Sequence, residues 1–457
     1  MGFFKAYDMR GTFGVDFDPE TVYGVGRALP RVVGGPRWLI GRDCRESSPA
    51  VHDALVRGLA EAGAQITDLG LCTTPMVYFF TAEEAFDGSV MITASHNPPT
   101  DNGLKVSKRT ALPVGYADGL NEVERQIAAE PKAALPTAVL PRTEKLDGLP
   151  RYIDWQRAHG PILSADSGLR YAVDCSNGMS SLLVHELFPG AEIINDTLDG
   201  RFPCHAPNPL KAEARGQIAA LVREKGLDCG VIFDGDADRC MFVDERGEFV
   251  QPDYLIPIVA RATLAKLGMA TSAAKPKIIH DVRTSRGAIE AIRALGCEPV
   301  MVPVGHAFAK PILRKIGAVC GGELAGHYYF SEFFGCDSGV LAALRILNEV
   351  VKAKAAGLTF SEMMAPICAK YANSGELNYK VEDKDAAIER VLAAARQNLP
   401  AEVSRSEMDG IRIDYAEGWL NVRKSNTEPY LRLLVECDTA ARLKAWVDVL
   451  AGAIHGR

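Results

Sequence analysis

Three times along the chain, a run of apolar residues ends in an aspartate, passes into a polar loop and is followed by apolar residues at helical spacing. The runs are Trp38-Leu39-Ile40-Gly41-Arg42-Asp43 before a helix around 49–62, Tyr171-Ala172-Val173-Asp174 before 180–188, and Lys277-Ile278-Ile279-His280-Asp281 before 286–295. Each helix gives way to a turn carrying a glycine, Gly63, Gly190 or Gly296. A second apolar strand and loop follows in each segment, at 88–93, 229–233 and 317–320. Near-continuous apolar strands alternating with helices describe sheets covered on both faces. The pattern predicts three similar α/β domains, each a mixed sheet sandwiched between helices. The last segment differs. Glu376 to Val381 alternates, 385–397 has helical periodicity, Ile411-Arg412-Ile413 and Leu420-Asn421-Val422 flank a turn at Gly418, Pro429 to Val435 is a further strand, and Asp438 is placed to cap a final helix. That is a smaller C-terminal α+β domain. The Pro/Ala-rich stretch from Pro131 to Pro141 reads as a linker and Asp244-Glu245-Arg246-Gly247 as a hairpin turn, so the expected domains are 1–141, 142–250, 251–366 and 367–457.

The length agrees, since 457 residues at about 150 per domain give three or four units. With 47% apolar and 24% charged residues the chain is globular in composition, and 51 basic against 58 acidic residues leave a net charge of −7. An acidic balance excludes a general nucleic-acid binder, and no apolar run reaches the roughly 18 residues that span a bilayer. The start of the sequence carries no long apolar signal region. Eleven cysteines with no C-x-x-C spacing build neither a disulfide framework nor a zinc site, and Cys175, Cys229, Cys320 and Cys437 sit in or beside strand-like runs as small hydrophobes. The expected location is the reducing cytoplasm.

Candidate chemistry lies just past the strands, where ligands of open α/β sheets bind. In Thr93-Ala94-Ser95-His96-Asn97-Pro98-Pro99, small neighbours leave the Ser95 hydroxyl uncrowded, as a nucleophile requires; the alternative is a polar turn whose serine bonds its own backbone. Asp234-Gly235-Asp236-Ala237-Asp238-Arg239 places three carboxylates at alternate positions, able to converge on one cation. A calcium EF-hand is the rival, with Glu245 at its twelfth position, but Arg239 stands where its glycine belongs; Mg²⁺ shared with a phosphate fits better. Gly322-Glu323-Leu324-Ala325-Gly326-His327, preceded by His306 and Lys310, offers Glu323 to sugar hydroxyls and either histidine as acid or base. Arg423-Lys424-Ser425-Asn426-Thr427 has the inventory of a phosphate grip or of a solvated hairpin tip.

Together these four loops, with Tyr7-Asp8-Met9-Arg10-Gly11 at the start, resemble the signatures of the α-D-phosphohexomutases, in particular the bacterial phosphomannomutase/phosphoglucomutase branch, in order and over the whole chain. The resemblance implies four domains around a central cleft and reversible transfer between the 1- and 6-positions of hexose phosphates through a bisphosphorylated sugar. It implies a phosphoserine at Ser95, whose phosphate shares Mg²⁺ with Asp234, Asp236 and Asp238. Arg10, Lys105 and Arg239 would flank the moving phosphoryl group, with His306 or His327 transferring a proton. Tyr7, Arg283 and Glu323 would meet the sugar phosphate, and Arg423, Ser425, Asn426 and Thr427 would hold its idle phosphate. Ala325 stands where the family commonly has Ser, and Arg283 where Lys is frequent. Leu324-Ala325 differs from the Gln-Ser of the glucosamine branch, so mannose and glucose phosphates are the expected substrates. The alternatives are a phosphoglucosamine mutase, a sugar-phosphate phosphatase or a silent binding protein. A monomer or homodimer is expected.

Overall fold

A computed structural model describes residues 2–130, 132–161, 163–164, 166–269, 275–425 and 430–456. The three α/β units share one wiring. In the first, strand Arg37–Arg42 lies parallel to both Gln65–Leu71 and Gly88–Ile92, and Gly88–Ile92 pairs antiparallel with Asp101–Lys108. In the second, Tyr171–Asp174 lies parallel between Glu192–Ile194 and Cys229–Phe233, and Cys240–Asp244 returns antiparallel. In the third, Lys277–Asp281 lies parallel between Glu298–Val302 and Cys320–Gly322, and Tyr328–Phe330 returns antiparallel. One parallel trio plus one reversed strand, three times over, accounts for the mixed sheets.

The fourth sheet is antiparallel, running through Tyr430–Cys437, Gly418–Lys424, Ile411–Tyr415 and Glu402–Ser406. Period-two alternation sends Leu420, Val422, Leu433 and Val435 to one face, where they pack with Val391, Leu392, Trp446 and Leu450 of helices Lys384–Asn398 and Ala440–Ile454. The opposite face carries Trp419, Arg423, Arg432 and Leu434. Trp419 and Leu434 form a small cluster with Leu324 of the third unit.

Apolar packing is continuous through the first three units, with Phe79, Tyr152 and Phe333 among the residues of one core, whereas the fourth unit has a core of its own. Polar contacts join the fourth to the third. Arg286 donates to the carbonyls of Tyr415, Ala416 and Gly418, and Arg412 donates to those of Val282 and Thr284.

Four expectations are corrected. The helix expected at 180–188 is a 3-10 turn, Met179–Leu182, followed by the single turn Val184–Leu187. Ser180 and Ser181 turn their hydroxyls onto the carbonyls of Cys175 and Gly178, competing with helix formation. The final helix is capped by Thr439, whose hydroxyl accepts from the Arg442 N–H, while Asp438 pairs with the Arg442 guanidinium. The first sheet continues past residue 141, because Glu144–Lys145 pairs with Gln65–Leu71. Helix Phe360–Cys368 runs through the break expected after 366.

Candidate active site

The shared wiring explains where the chemistry lies. In each repeat the chain leaves the last parallel strand, makes a short turn and comes back antiparallel. Those three equivalent turns are the Ser95 loop, the three-aspartate loop and the Glu323–His327 loop.

Ser95 is held in the left-handed region, φ 51°, with its N–H on Thr93 Oγ1 at 2.9 Å. Its hydroxyl donates to Asp234 Oδ2 at 2.9 Å. The hydroxyl is buried and not open as the sequence suggested, because the second unit's turn covers it. A Cβ on Gly235 would stand 2.6 Å from the Ser95 carbonyl oxygen, and one on Gly178 would stand 2.7 Å from the Gly235 oxygen, so both glycines are required for close backbone approach. The loop is clamped from behind by Arg45, a residue that sequence reasoning missed. Its buried guanidinium donates to the carbonyls of Ser95, Asn97, Pro98 and Asp101 at 2.5–2.9 Å and to Asp43 at 3.1 Å. The available signal was its place two residues beyond the Asp43 that ends the first strand run.

Asp234, Asp236 and Asp238 are all fully buried and offer oxygens within 4.8 Å of one another. They do not form a solvated surface turn. Lys105, on strand Asp101–Lys108, places Nζ 2.7 Å from both Asp236 and Asp238. Arg239 Nε lies 2.8 Å from Asp234. Burial pushes Asp234 up to about 7, with the neighbouring carboxylates adding to it and Arg239 opposing. Burial acts the same way on Asp236 and Asp238, but Lys105 outweighs it and both are lowered. The Oδ1 atoms of Asp236 and Asp238 have no hydrogen-bond partner among the described residues. Buried carboxylate oxygens without donors, beside a third carboxylate of raised pKa, fit a divalent cation that takes oxygen ligands. The EF-hand is excluded, since Glu245 lies at the far end of the Cys229–Asp244 hairpin and its carboxylate accepts from Ser361.

The third turn meets the second directly, through a backbone bridge between Arg239 and His327. His327 Nδ1 lies 2.7 Å from Asp337 and 3.8 Å from Asp238. Burial would lower its pKa, but Asp238 and Asp337 raise it above the ordinary value. His306 is pushed well below its usual value by burial and by Lys310 and Lys105, and its buried Nδ1 has no partner among the described residues. The two histidines therefore differ in charge preference. Lys310 pairs with Asp337 at 2.7 Å and lies over the Tyr78 ring. Glu323 accepts from Tyr329 Oη at 2.5 Å and from the Gly305 N–H at 3.1 Å. Tyr7 reaches across from the first unit, donating to the Val304 carbonyl and packing edge-on against Phe308. Arg10 pairs with Asp8 and donates to Asn97 of the Ser95 loop.

At the other end Arg283, held by Asp281, comes within 3.9 Å of Glu323 and 3.5 Å of Glu376. Glu376 binds Arg423 at 2.8 Å and Arg432 at 3.0 Å. Neither Glu376 nor Arg432 was foreseen; the alternation of Tyr430–Cys437 was the signal for Arg432. Ser425 is buried at the end of its strand. Asn426 and Thr427 lie outside the described residues. A polar track thus runs from Ser95 through Asp234, Asp238, His327, Glu323, Arg283 and Glu376 to Arg423.

The chain matches four family models in succession: phosphoglucomutase/phosphomannomutase alpha/beta/alpha domain I over residues 1–134, domain II over 150–247, domain III over 251–371 and the C-terminal domain over 376–453. It is 36% identical to phosphohexose mutases of Xanthomonas campestris pv. campestris, covering 99% of both chains, and 34% identical to an Escherichia coli phosphomannomutase, covering 98% of both. A solved phosphoglucomutase/phosphomannomutase family protein from Burkholderia thailandensis superposes with a TM-score of 0.84 at 27% identity, over 99% of this chain and 97% of that one.

The chain belongs to the phosphoglucomutase/phosphomannomutase family. It is a phosphohexomutase, an enzyme that moves a phosphoryl group between positions of a hexose phosphate. The polar track has a cation-ready acidic pole at Ser95 and an arginine-rich pole at Arg423. No helix among the described residues is long and apolar enough to cross a membrane.

Gly235→Ala tests the backbone contact that brings the two turns together. Its methyl group pushes the Ser95 carbonyl away, and a misplacement of about 1 Å at a reacting group costs about 10²-fold in rate. Steady-state assays should therefore show kcat reduced about 10- to 100-fold with the fold intact by circular dichroism.

Proposed function

We propose that this phosphohexomutase interconverts the 1- and 6-phosphates of mannose and glucose by carrying the phosphoryl group on Ser95. The observation that carries this reading is the Ser95 hydroxyl, buried against Asp234 Oδ2, which also accepts from Arg239, with Lys105 on the adjoining Asp236 and Asp238. A sugar hydroxyl attacks the phosphorus, the bond to Ser95 Oγ breaks, and the proton leaves to a base. His327 suits that task, since Asp337 fixes its ring and stabilises the imidazolium. His306, kept neutral, suits a hydrogen bond to a sugar hydroxyl. Asp234, Asp236 and Asp238 would hold the cation, for which Mg²⁺ is our assignment, together with the Ser95 phosphate. When bound, it supplies positive charge against the phosphoryl oxygens. Arg10, Lys105 and Arg239 supply the rest, Tyr7 and Glu323 meet the sugar, and Arg283, Arg423, Ser425, Asn426 and Thr427 hold the idle phosphate. After the first transfer the bisphosphorylated sugar exchanges ends, and the other phosphate returns to Ser95.

Leu324-Ala325 in place of Gln-Ser supports mannose and glucose over glucosamine phosphates, as do the relatives named phosphomannomutases. Solved N-acetylglucosamine-phosphate mutases share the fold at 14–16% identity. The working form would be a cytoplasmic monomer or homodimer.

With glucose 1-phosphate or mannose 1-phosphate and a trace of bisphosphate, the product should be the 6-phosphate. Free phosphate as the main product would instead identify a phosphatase. Ser95→Ala should lower turnover at least ~10²-fold; near-normal turnover would rule out covalent transfer. Asp337→Asn, which leaves the His327 ring without its carboxylate, should lower kcat by about 10- to 100-fold while KM changes little.

A further inference from the structure

A carboxylate occupies the centre of the arginine-rich pole. Glu376 Oε1 lies 2.8 Å from Arg423 Nη2 and 3.5 Å from Arg283 Nη1, and Oε2 lies 3.0 Å from Arg432 Nη1. The guanidiniums come from two units. Arg283 follows the end of strand Lys277–Asp281 in the third, while Arg423 and Arg432 are directly paired across the fourth sheet. Arg283 and Arg423 are buried. Two anionic oxygens shared among several planar forks is the arrangement a phosphate receives. Burial acts to raise the Glu376 carboxyl, but Arg283, Arg423 and Arg432 together hold it at about 2, so it is ionised throughout the neutral range. Arg423 retains a buried Nε with no partner among the described residues, a donor left over for a second anion.

We propose that Glu376 is a resident substitute for the substrate's idle phosphate, holding arginines of the third and fourth units in gripping geometry when the cleft is empty and yielding them when a phosphate arrives. The inference rests on the reading of Arg423 as part of the phosphate grip. Like-charged guanidiniums brought this close repel one another, and an anion among them keeps the pole assembled before substrate binds. The same anion moderates the grip. A bisphosphorylated intermediate has to release one phosphate and offer the other, and binding both states more tightly would slow that exchange without helping the transfer. Glu376 is thus a positioning residue acting through the arginines.

The test is titration of inorganic phosphate into the full-length protein in metal-free buffer, by calorimetry and by melting temperature, beside steady-state kinetics. Glu376→Gln should bind phosphate at least about threefold more tightly than the wild type and gain more in melting temperature from it, because one competing charge is gone. Its kcat should fall while KM for the hexose 1-phosphate stays level or drops. Glu376→Asp, which keeps the charge on a shorter arm, should lie between the two in every readout. Unchanged or weaker phosphate binding in Glu376→Gln overturns the proposal. If Glu376→Gln does not fold in phosphate-free buffer, excess phosphate should restore folded protein, and failure to do so also overturns it. Arg423→Ala separates the inference from its foundation. Loss of the phosphate response in Arg423→Ala with an unaltered response in Glu376→Gln removes the inference alone. A full phosphate response in Arg423→Ala removes the grip assignment as well.

Discussion

Compensation of buried negative charge organises this molecule. Asp234, Asp236 and Asp238 have no access to water, and their charges are tolerable only beside cations. The second unit carries Arg239 next to them, but Lys105 comes from the first unit and His327 from the third. Removing one partner of such a buried pair costs about 3–5 kcal/mol. The contacts that dock the three units are therefore also the contacts that neutralise the acidic turn, and neither can be perturbed alone.

Apolar packing reinforces that arrangement unevenly. One core takes in residues of all three of the first units, which carry the Ser95, Asp234–Asp238 and His327 turns, beside smaller clusters within each. The fourth unit has its own core and meets the third largely through guanidinium-to-carbonyl bonds at Arg286 and Arg412 and a small cluster around Trp419. The arginines gathered on Glu376 span the joint, with Arg283 on one side and Arg423 and Arg432 on the other.

Much of this was legible in the sequence wherever the signal was local. Apolar strands ending in aspartate announced the repeat, and alternate aspartates separated by Gly235 and Ala237 announced the acidic turn. What stayed hidden depended on distant partners. Arg45 acts on carbonyls about fifty residues away, Glu376 collects arginines from positions 283, 423 and 432, and Asp337 gains its place from His327 and Lys310, which fold onto it. The loop serine was recognisable as chemistry, yet its burial was not, since the cover comes from Gly235 of another unit. The misjudged helix near 180 had apolar periodicity, but paired serines offered its backbone nearer partners. The cap at Thr439 lay one residue from the expected Asp438, since either side chain suits that position.

The equivalence of the three turns bears on how such a catalyst diversifies. Each copy of the wiring presents different side chains from the same place, so the acidic turn gains its lysine and its histidine only when all three copies are docked. A change in one turn therefore reaches its neighbours, because Gly235 backs onto Ser95 and Arg239 bridges to His327. Diversification is thus constrained at the cross-braced acidic pole, where a change leaves a buried charge without its partner.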